Sequence, residues 1–163
     1  MTAPAAARPA QGRAGAARSG ALVWIDAREA VIVRWADDAS SLERLLSDVP
    51  IHRRSTGHVR HDPLTRFGGG GAPQSAGEPR RLEHLDRFVE NVAARLVGDA
   101  DVLIIGPGTV HERLDALLRE LDAAERRTRA VEVRRAARLT ERQLVAELRA
   151  HLGAGPRRRR VGS

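Results

Sequence analysis

Residues 101–121 read Asp-Val-Leu-Ile-Ile-Gly-Pro-Gly-Thr-Val-His-Glu-Arg-Leu-Asp-Ala-Leu-Leu-Arg-Glu-Leu, and they set the class of the fold. The apolar run 102–105, bounded by Asp101 and Gly106, has the length of a buried central strand. Thr109 and Glu112 have the spacing of a capping box, so we expect a helix to begin there. A strand, a glycine turn and a helix in succession predict an α/β domain. The apolar face of this helix comprises Val110, Leu114, Leu117, Leu118 and Leu121.

Two β-rich runs lie upstream, at 21–26 and 30–35, and the short polar turn between them predicts a hairpin. Both runs are almost continuously apolar, so we expect at least one strand to be covered on both faces. Residues 40–47 are predicted as a short helical turn, because Ser40 and Glu43 have capping-box spacing. Residues 48–52 are predicted as a third strand at an edge, because Pro50 cannot donate to a ladder.

Downstream, a helix is predicted to end at Gly98, a strand at 130–133, and a last helix from Thr140 to Gly153. Gln143 completes a capping box with Thr140, while Leu139 and Leu144 have hydrophobic-staple spacing. The order of elements predicts a mixed sheet of about five strands with helices packed on it. The apolar stripe of the first helix comprises Leu82, Leu85, Phe88, Val89, Val92 and Leu96.

Residues 50–77 show neither a strand nor a helix period, and we expect a loop. Loops of this length in compact domains are usually functional or disordered. Its first half is cationic, with a single acid, Asp62, and its second half lets a partner approach the backbone closely. We interpret it as a cationic arm, the alternative being a solvated insert without a partner. The cations are Arg53, Arg54, Arg60 and Arg66, with His52, His58 and His61, and the glycines are Gly68, Gly69, Gly70 and Gly71.

The net charge of +7 comes from the two ends of the chain. Residues 1–19 are expected to form a disordered tail and residues 153–163 a basic tail, around a folded domain at 20–152 whose charges balance. Basic tails and a basic loop favour binding to nucleic-acid phosphate, although they also aid solubility. The end arginines are Arg8, Arg13, Arg18, Arg157, Arg158, Arg159 and Arg160.

Composition excludes several other classes. The chain has no Cys, which excludes disulfides, zinc–thiolate sites and thiol nucleophiles. No apolar run has the length of a membrane span, and the first twenty residues lack a secretory h-region. Every basic residue is Arg, which we interpret as the GC-rich coding bias of a bacterial cytosolic protein.

Candidate chemistry is sparse. Gly106, Gly108 and Thr109 form a candidate anion-binding turn, because a helix opens directly after a strand. The turn matches neither a P-loop nor a dinucleotide fingerprint, and a tight connection is the alternative.

No metal site and no cofactor are predicted, since the loop histidines lack zinc spacing and neighbouring arginines repel cations. No catalytic residue is predicted either. Ser55 and His58 lie in no nucleophile motif. Asp26 ends a strand as a nuclease carboxylate would, but Asp101 lies at the wrong end of its strand.

The order of elements over about 20–152 resembles the middle domain of archaeo-eukaryotic peptide-chain release factors and Pelota. It is closer still to small bacterial proteins called translational machinery proteins. The matching stretches are Asp48-Val-Pro-Ile-His-Arg-Arg, the glycine-rich segment ending at Gln74, and Val102-Leu-Ile-Ile-Gly106. The resemblance implies a ribonuclease H-like mixed sheet and a basic arm that acts against ribosomal RNA.

One departure bears on activity. Release factors carry Gly-Gly-Gln at the loop tip, whereas here Ala72 and Pro73 separate Gly71 from Gln74. Pro73 fixes a backbone angle and removes an amide donor, which argues against hydrolysis of peptidyl-tRNA.

We therefore expect a non-enzymatic, cytoplasmic accessory protein that binds the ribosome, ribosomal RNA or tRNA, with no membrane and no small-molecule cofactor. The alternatives are a residual hydrolase acting through Gln74 or Asp26, and an interaction module for an acidic partner. The predicted RNA-binding residues are Arg53, Arg54, His58, Arg60, His61, Arg66, Gly68, Gly69, Gly70, Gly71 and Gln74.

Overall fold

The described part of the chain folds around one mixed five-stranded sheet with three helices. A computed structural model describes residues 18–50 and 74–154, with side chains of 74–76 left undescribed. The strand order is β3-β2-β1-β4-β5. No helix in the described ranges is long and apolar enough to cross a bilayer. In chain order the elements are β1 (Gly20–Ile25), β2 (Glu29–Ala36), β3 (Ala39–Leu46), α1 (Gln74–Arg95), β4 (Asp101–Gly106), α2 (Val110–Glu125), β5 (Ala130–Arg135) and α3 (Glu141–His151).

Strand β1 lies at the centre of this sheet. It pairs antiparallel with β2, from Gly20↔Trp35 to Ile25↔Ala30, and parallel with β4. All six of its residues are buried. The predicted hairpin and the strand covered on both faces are therefore confirmed. The predicted fold class is confirmed as well, since an antiparallel 3-2-1 meander continued by parallel β4 and β5 is the ribonuclease H-like arrangement.

The sheet separates two hydrophobic clusters, because successive side chains along a strand point to opposite faces. Helices α1 and α2 cover one face, where Val23, Ile32 and Ile104 are fully buried. Helix α3 alone covers the other face, where Leu22, Val33 and Leu103 are fully buried.

Two predictions upstream of the loop are wrong. Residues 40–47 do not form a helical turn but belong to β3, which pairs with β2 from Glu29↔Leu46 to Ala36↔Ala39. Residues 48–50, predicted as part of an edge strand, form no strand. An isolated two-turn helix is marginal, whereas pairing along eight residues satisfies the free edge of β2. Residues 51 and 52 lie outside the described ranges.

Helix α1 begins at Gln74, so its first four residues overlap the predicted loop. Pro79 is the sixth residue of α1, past the first four amides that lack intrahelical partners, so it removes one hydrogen bond from the second turn of the helix. The predicted apolar stripe is buried at Phe88, Val89 and Val92, whereas Leu82 is exposed.

The two helices that begin at a threonine start differently. At α3 the predicted capping box is confirmed: Thr140 Oγ1 accepts from the Gln143 amide at 3.3 Å, and Gln143 Oε1 accepts from the Thr140 amide at 2.8 Å. At α2 the predicted box is wrong, because the Thr109 side chain makes no cap hydrogen bond. Thr109 has ψ of −5°, outside the extended region in which an N-cap hydroxyl reaches the next amides.

This contrast predicts unequal effects of the same substitution. Thr140→Ala should lower the free energy of unfolding by about 1 kcal/mol, as loss of an N-cap does, whereas Thr109→Ala should leave it almost unchanged. Urea unfolding followed by fluorescence of the buried Trp24 measures both. Equal losses would contradict the assigned caps.

Candidate nucleic-acid interface at the carboxyl edge of the sheet

Four connections meet at one edge of the sheet. Because β1 and β3 are both antiparallel to β2, they run in the same direction, which β4 and β5 share. The carboxyl ends of β1, β3, β4 and β5 therefore lie together. We call this the carboxyl edge and define it by segments 26–28, 47–50, 106–109 and 136–140.

Backbone hydrogen bonds join these segments in pairs. The Ser47 amide donates to the Arg28 carbonyl at 2.7 Å, and the Ala136 amide donates to the Gly106 carbonyl at 3.0 Å. The four segments are thus linked into two pairs, 26–28 with 47–50 and 106–109 with 136–140.

Helix α1 also starts at this edge. His84 Nδ1 lies 3.1 Å from Asp48 Oδ2, which ties the helix to the segment that follows β3. Residues 77–83 are exposed except for the half-buried Arg81. The ten residues before His84 span about 15 Å at the rise of an α-helix, so they project beyond the edge.

Most of the predicted RNA-binding residues lie outside the described ranges. These are Arg53, Arg54, His58, Arg60, His61, Arg66 and Gly68 to Gly71, and for them the assignment remains a prediction. Gln74 is the first residue of α1, and its side chain is not described. The structure does fix where the segment 51–73 is attached, because its start follows β3 and its end leads into α1.

The connections at the two ends of the sheet differ in charge only when the segment outside the described ranges is counted by sequence. The four described segments of the carboxyl edge hold two arginines and two aspartates, and the attached segment 51–73 adds four arginines and one aspartate. Those at the opposite edge, 37–38, 96–100 and 126–129, hold three of each. The six arginines are Arg28, Arg53, Arg54, Arg60, Arg66 and Arg138, and the three aspartates are Asp26, Asp48 and Asp62.

Two described arginines near the carboxyl edge are exposed without a carboxylate partner. Within residues 18–50 and 74–154, neither Arg28 in the β1–β2 turn nor Arg80 in α1 forms an ion pair. At the opposite edge, Arg127 pairs with Glu125 and Arg129 pairs with Asp122, while Arg126 is exposed and forms no ion pair within the same described ranges.

The glycine turn lies at the carboxyl edge, and two of its predicted residues have structural roles. A Cβ on Gly106 would lie well inside van der Waals contact of the Ile25 carbonyl oxygen, so glycine is required for β4 to lie against β1. Gly108 has φ of +67°, which favours glycine. The carbonyl of Thr109 accepts from the Glu112 and Arg113 amides, and its hydroxyl forms no cap.

His111 is a buried residue that the sequence reasoning missed. It lies in the first turn of α2, is 3% exposed, and its Nδ1 has no hydrogen-bond partner within the described part of the chain. The signal was present, because His111, Leu114 and Leu118 recur at helical spacing and all three are buried.

Asp26 stabilises the turn after β1. Its Oδ1 accepts from the Arg28 amide at 2.7 Å and from the Glu29 amide at 2.9 Å. Asp101 lies at the opposite end of the sheet, where His151 Nε2 is 2.7 Å from its Oδ1. Among the described residues, no group of three or more acids and histidines is placed to hold a metal.

A buried glutamate, also missed from the sequence, anchors the carboxyl edge. The side chain of Glu29 is 9% exposed, Arg44 Nη1 lies 2.8 Å from Glu29 Oε2, and Arg138 pairs with Glu29 Oε1. Arg138 also lies over the ring of Trp24 at 5.5 Å. These contacts fix the 136–140 segment against β2 and β3.

No protein-family model matches the chain, and no curated protein matches it in sequence. Among solved structures, the chain is similar to the crystal structure of an archaeal translation termination factor, aRF1, with 13% identity and a TM-score of 0.48. The match covers 81% of this chain and 34% of the other, so the chain spans about a third of that protein's length. At this TM-score the likeness supports no functional inference.

The close approach at Gly106 predicts a large effect from one methyl group. Gly106→Ala should lower the free energy of unfolding by about 1–3 kcal/mol, because the added Cβ forces β1 and β4 apart. Gly98→Ala is the matched control, since nothing lies within 4 Å of its Cβ position. If urea unfolding shows the two variants to be equally stable, the assigned packing at Gly106 is wrong.

Proposed function

We propose that the protein is a non-enzymatic accessory protein that binds phosphates of ribosomal RNA or tRNA with its carboxyl edge. The observation that carries the proposal is the attachment of segment 51–73, which holds four arginines and one aspartate, to the carboxyl edge. The two ends of the chain, with seven further arginines, lead from the opposite edge, so the proposal rests on this segment and not on a difference in net charge between the edges. A surface with one sign of charge attracts nucleic acid over a distance and orients it.

The cations of segment 51–73 supply most of the phosphate contacts in this proposal. Arg28 and Arg80, which are exposed and unpaired within the described ranges, extend the surface onto the folded body. Gly108 and Thr109 add an anion-binding turn, because the hydroxyl of Thr109 is not used as a cap and α2 points its positive end at this edge.

Binding of this kind is electrostatic and has little sequence preference. Base stacking needs exposed aromatic rings, and the described part of the chain offers none. Trp24 and Phe88 are each 3% exposed, and Arg149 covers the ring of Trp35 at 4.9 Å.

The resemblance set out from the sequence supports a ribosomal partner in the cytoplasm and a folded domain at 20–152. Two observations argue against hydrolysis. Pro73 interrupts the Gly-Gly-Gln order, and Asp26 Oδ1 already accepts hydrogen bonds from two backbone amides. Hydrolysis and binding of an acidic protein are retained as outcomes that the experiments below distinguish.

The salt dependence of binding tests the electrostatic mechanism. If four to six arginines neutralise phosphates of single-stranded RNA, the slope of log K against log salt should be about −3 to −4. Arg53→Gln/Arg54→Gln should reduce the magnitude of this slope by about 1.4, at about 0.7 for each lost contact.

The matched control removes two charges elsewhere. Arg119→Gln/Arg126→Asn should leave the slope unchanged. Arg126 has φ of 54°, which asparagine tolerates. The hydrogen bond from Arg119 to Asp115 raises the pKa of Arg119, so a full positive charge is lost there too. Equal losses in the two double variants would mean that binding follows net charge and not the carboxyl edge.

Co-sedimentation with ribosomes at low salt tests the partner. We expect the protein to pellet with ribosomes and to be released by salt. A slope near zero, or capture of a protein with no binding to ribosomes, would replace the proposal with an acidic-partner module. Cleavage of peptidyl-tRNA that is lost in Gln74→Ala would replace it with a hydrolase.

A further inference from the structure

The outer edge of β3 has the features of a strand-pairing surface. β3 is the first strand in the order of the sheet and pairs with β2 without interruption over eight residues. It contains no proline. Among the described residues no strand pairs with its outer edge. An unpaired edge of this length and regularity is a template for another strand, which natural proteins usually protect.

The usual protection is a free charge, and on β3 the central charges are neutralised. Arg44 Nη1 lies 2.8 Å from Glu29 Oε2, and Arg44 also pairs with Glu141. Glu43 pairs with Arg34 at 3.4 Å and with Arg95. Neither charge is left to repel an incoming strand.

Two exposed leucines, Leu42 and Leu46, lie along this edge and form what we call the apolar shelf. Leu42 and Leu46 lie on the α3 side of β3, since Leu42 pairs with Val33 of that cluster, and they are 41% and 77% exposed. Helix α3 packs on β1 and β2 and leaves a groove of about 400 Å³ beside β3. The groove is lined by Ser40, Ser41, Leu42, Glu141, Arg142 and Val145.

We propose that the occupant of this edge is a second copy of the same chain, with the two β3 strands paired antiparallel about a two-fold axis at Leu42. The two five-stranded sheets then join into one continuous sheet. Leu42 faces its counterpart across the axis, and Ser40 lies opposite Arg44 of the other copy.

Register selects this arrangement. Directly opposite residues in an antiparallel pair share a face, so a two-fold axis normal to the sheet must pass through a residue and its own counterpart. Centring on Glu43 or Arg44 sets an ion-paired polar side chain against its own copy, whereas centring on Leu42 buries two exposed leucines near the middle of the strand.

The rim of the groove carries one acid, Glu141, and one base, Arg142, beside the apolar Val145. The same patch of both copies meets in a two-fold contact, and a patch with one charge of each sign brings no net like charge to it.

Cysteine cross-linking tests the register, since the chain has no Cys of its own. Under mild oxidation Leu42→Cys should form a covalent dimer at least tenfold faster than Leu46→Cys. In the proposed register, residue 46 is about 27 Å from its counterpart along the strands, beyond the reach of a disulfide. The control is demanding because Leu46 is the more exposed residue, and random collision would favour it.

Light scattering on the full chain tests the dimer without a covalent bond. We expect a mass of twice 17.7 kDa at high micromolar concentration. Leu42→Lys should return the protein to a monomer with an unchanged circular dichroism spectrum, since the residue is partly exposed and contributes little to the fold. A monomeric wild-type chain would overturn the proposal. Cross-linking of Leu46→Cys as fast as Leu42→Cys would overturn the interface even if a dimer exists.

Discussion

The structure depends on the complete burial of β1. This strand has a hydrogen-bonded neighbour on each side and helices over both faces, so all six of its residues are buried. Backbone groups in such a position have no access to water and must be paired within the sheet. β1 thereby fixes the directions of β2 and β4, and through them the directions of β3 and β5. The grouping of four connections at the carboxyl edge is a consequence of that choice of directions.

The unequal covering of the sheet has a second consequence. Among the described helices, two pack on one face and α3 packs on the other, where it lies over β1 and β2. The outermost strand is therefore exposed on its α3 side, and Leu42 and Leu46 stay in contact with water. The same helix arrangement that completes the core of β1 thus creates the exposed shelf beside β3.

The buried elements could be predicted from the sequence because their signals were unambiguous. The runs around Val23, Ile32 and Ile104 are almost wholly apolar, and burial on both faces is what such runs indicate. β3 could not be predicted in the same way. Leu42, Leu45 and Leu46 fit a helical spacing, Leu42 and Leu46 also fit a strand, and only the presence of the β2 edge decides between the two.

Side-chain roles were harder to predict than elements. Thr109 and Thr140 both precede a glutamate or glutamine at capping-box spacing, yet only Thr140 has the extended backbone that a cap needs. The anchoring role of Glu29 could not be predicted, because its partners Arg44 and Arg138 are distant in sequence. The candidate site could not be predicted from local sequence either. Strand direction brings segments 26–28 and 106–109 to one edge, although they are distant along the chain.

The two proposed surfaces constrain each other through strand direction. β3 leads directly from its outer edge into segment 47–50 of the carboxyl edge. In the proposed dimer the two β3 strands are antiparallel, so the two carboxyl edges lie at opposite ends of the joined sheet. The copies therefore do not combine into one larger cationic surface. If both proposals hold, each copy keeps its own phosphate contacts and the dimer holds two RNA segments apart. The gain in affinity would then come from effective concentration on RNA long enough to reach both ends.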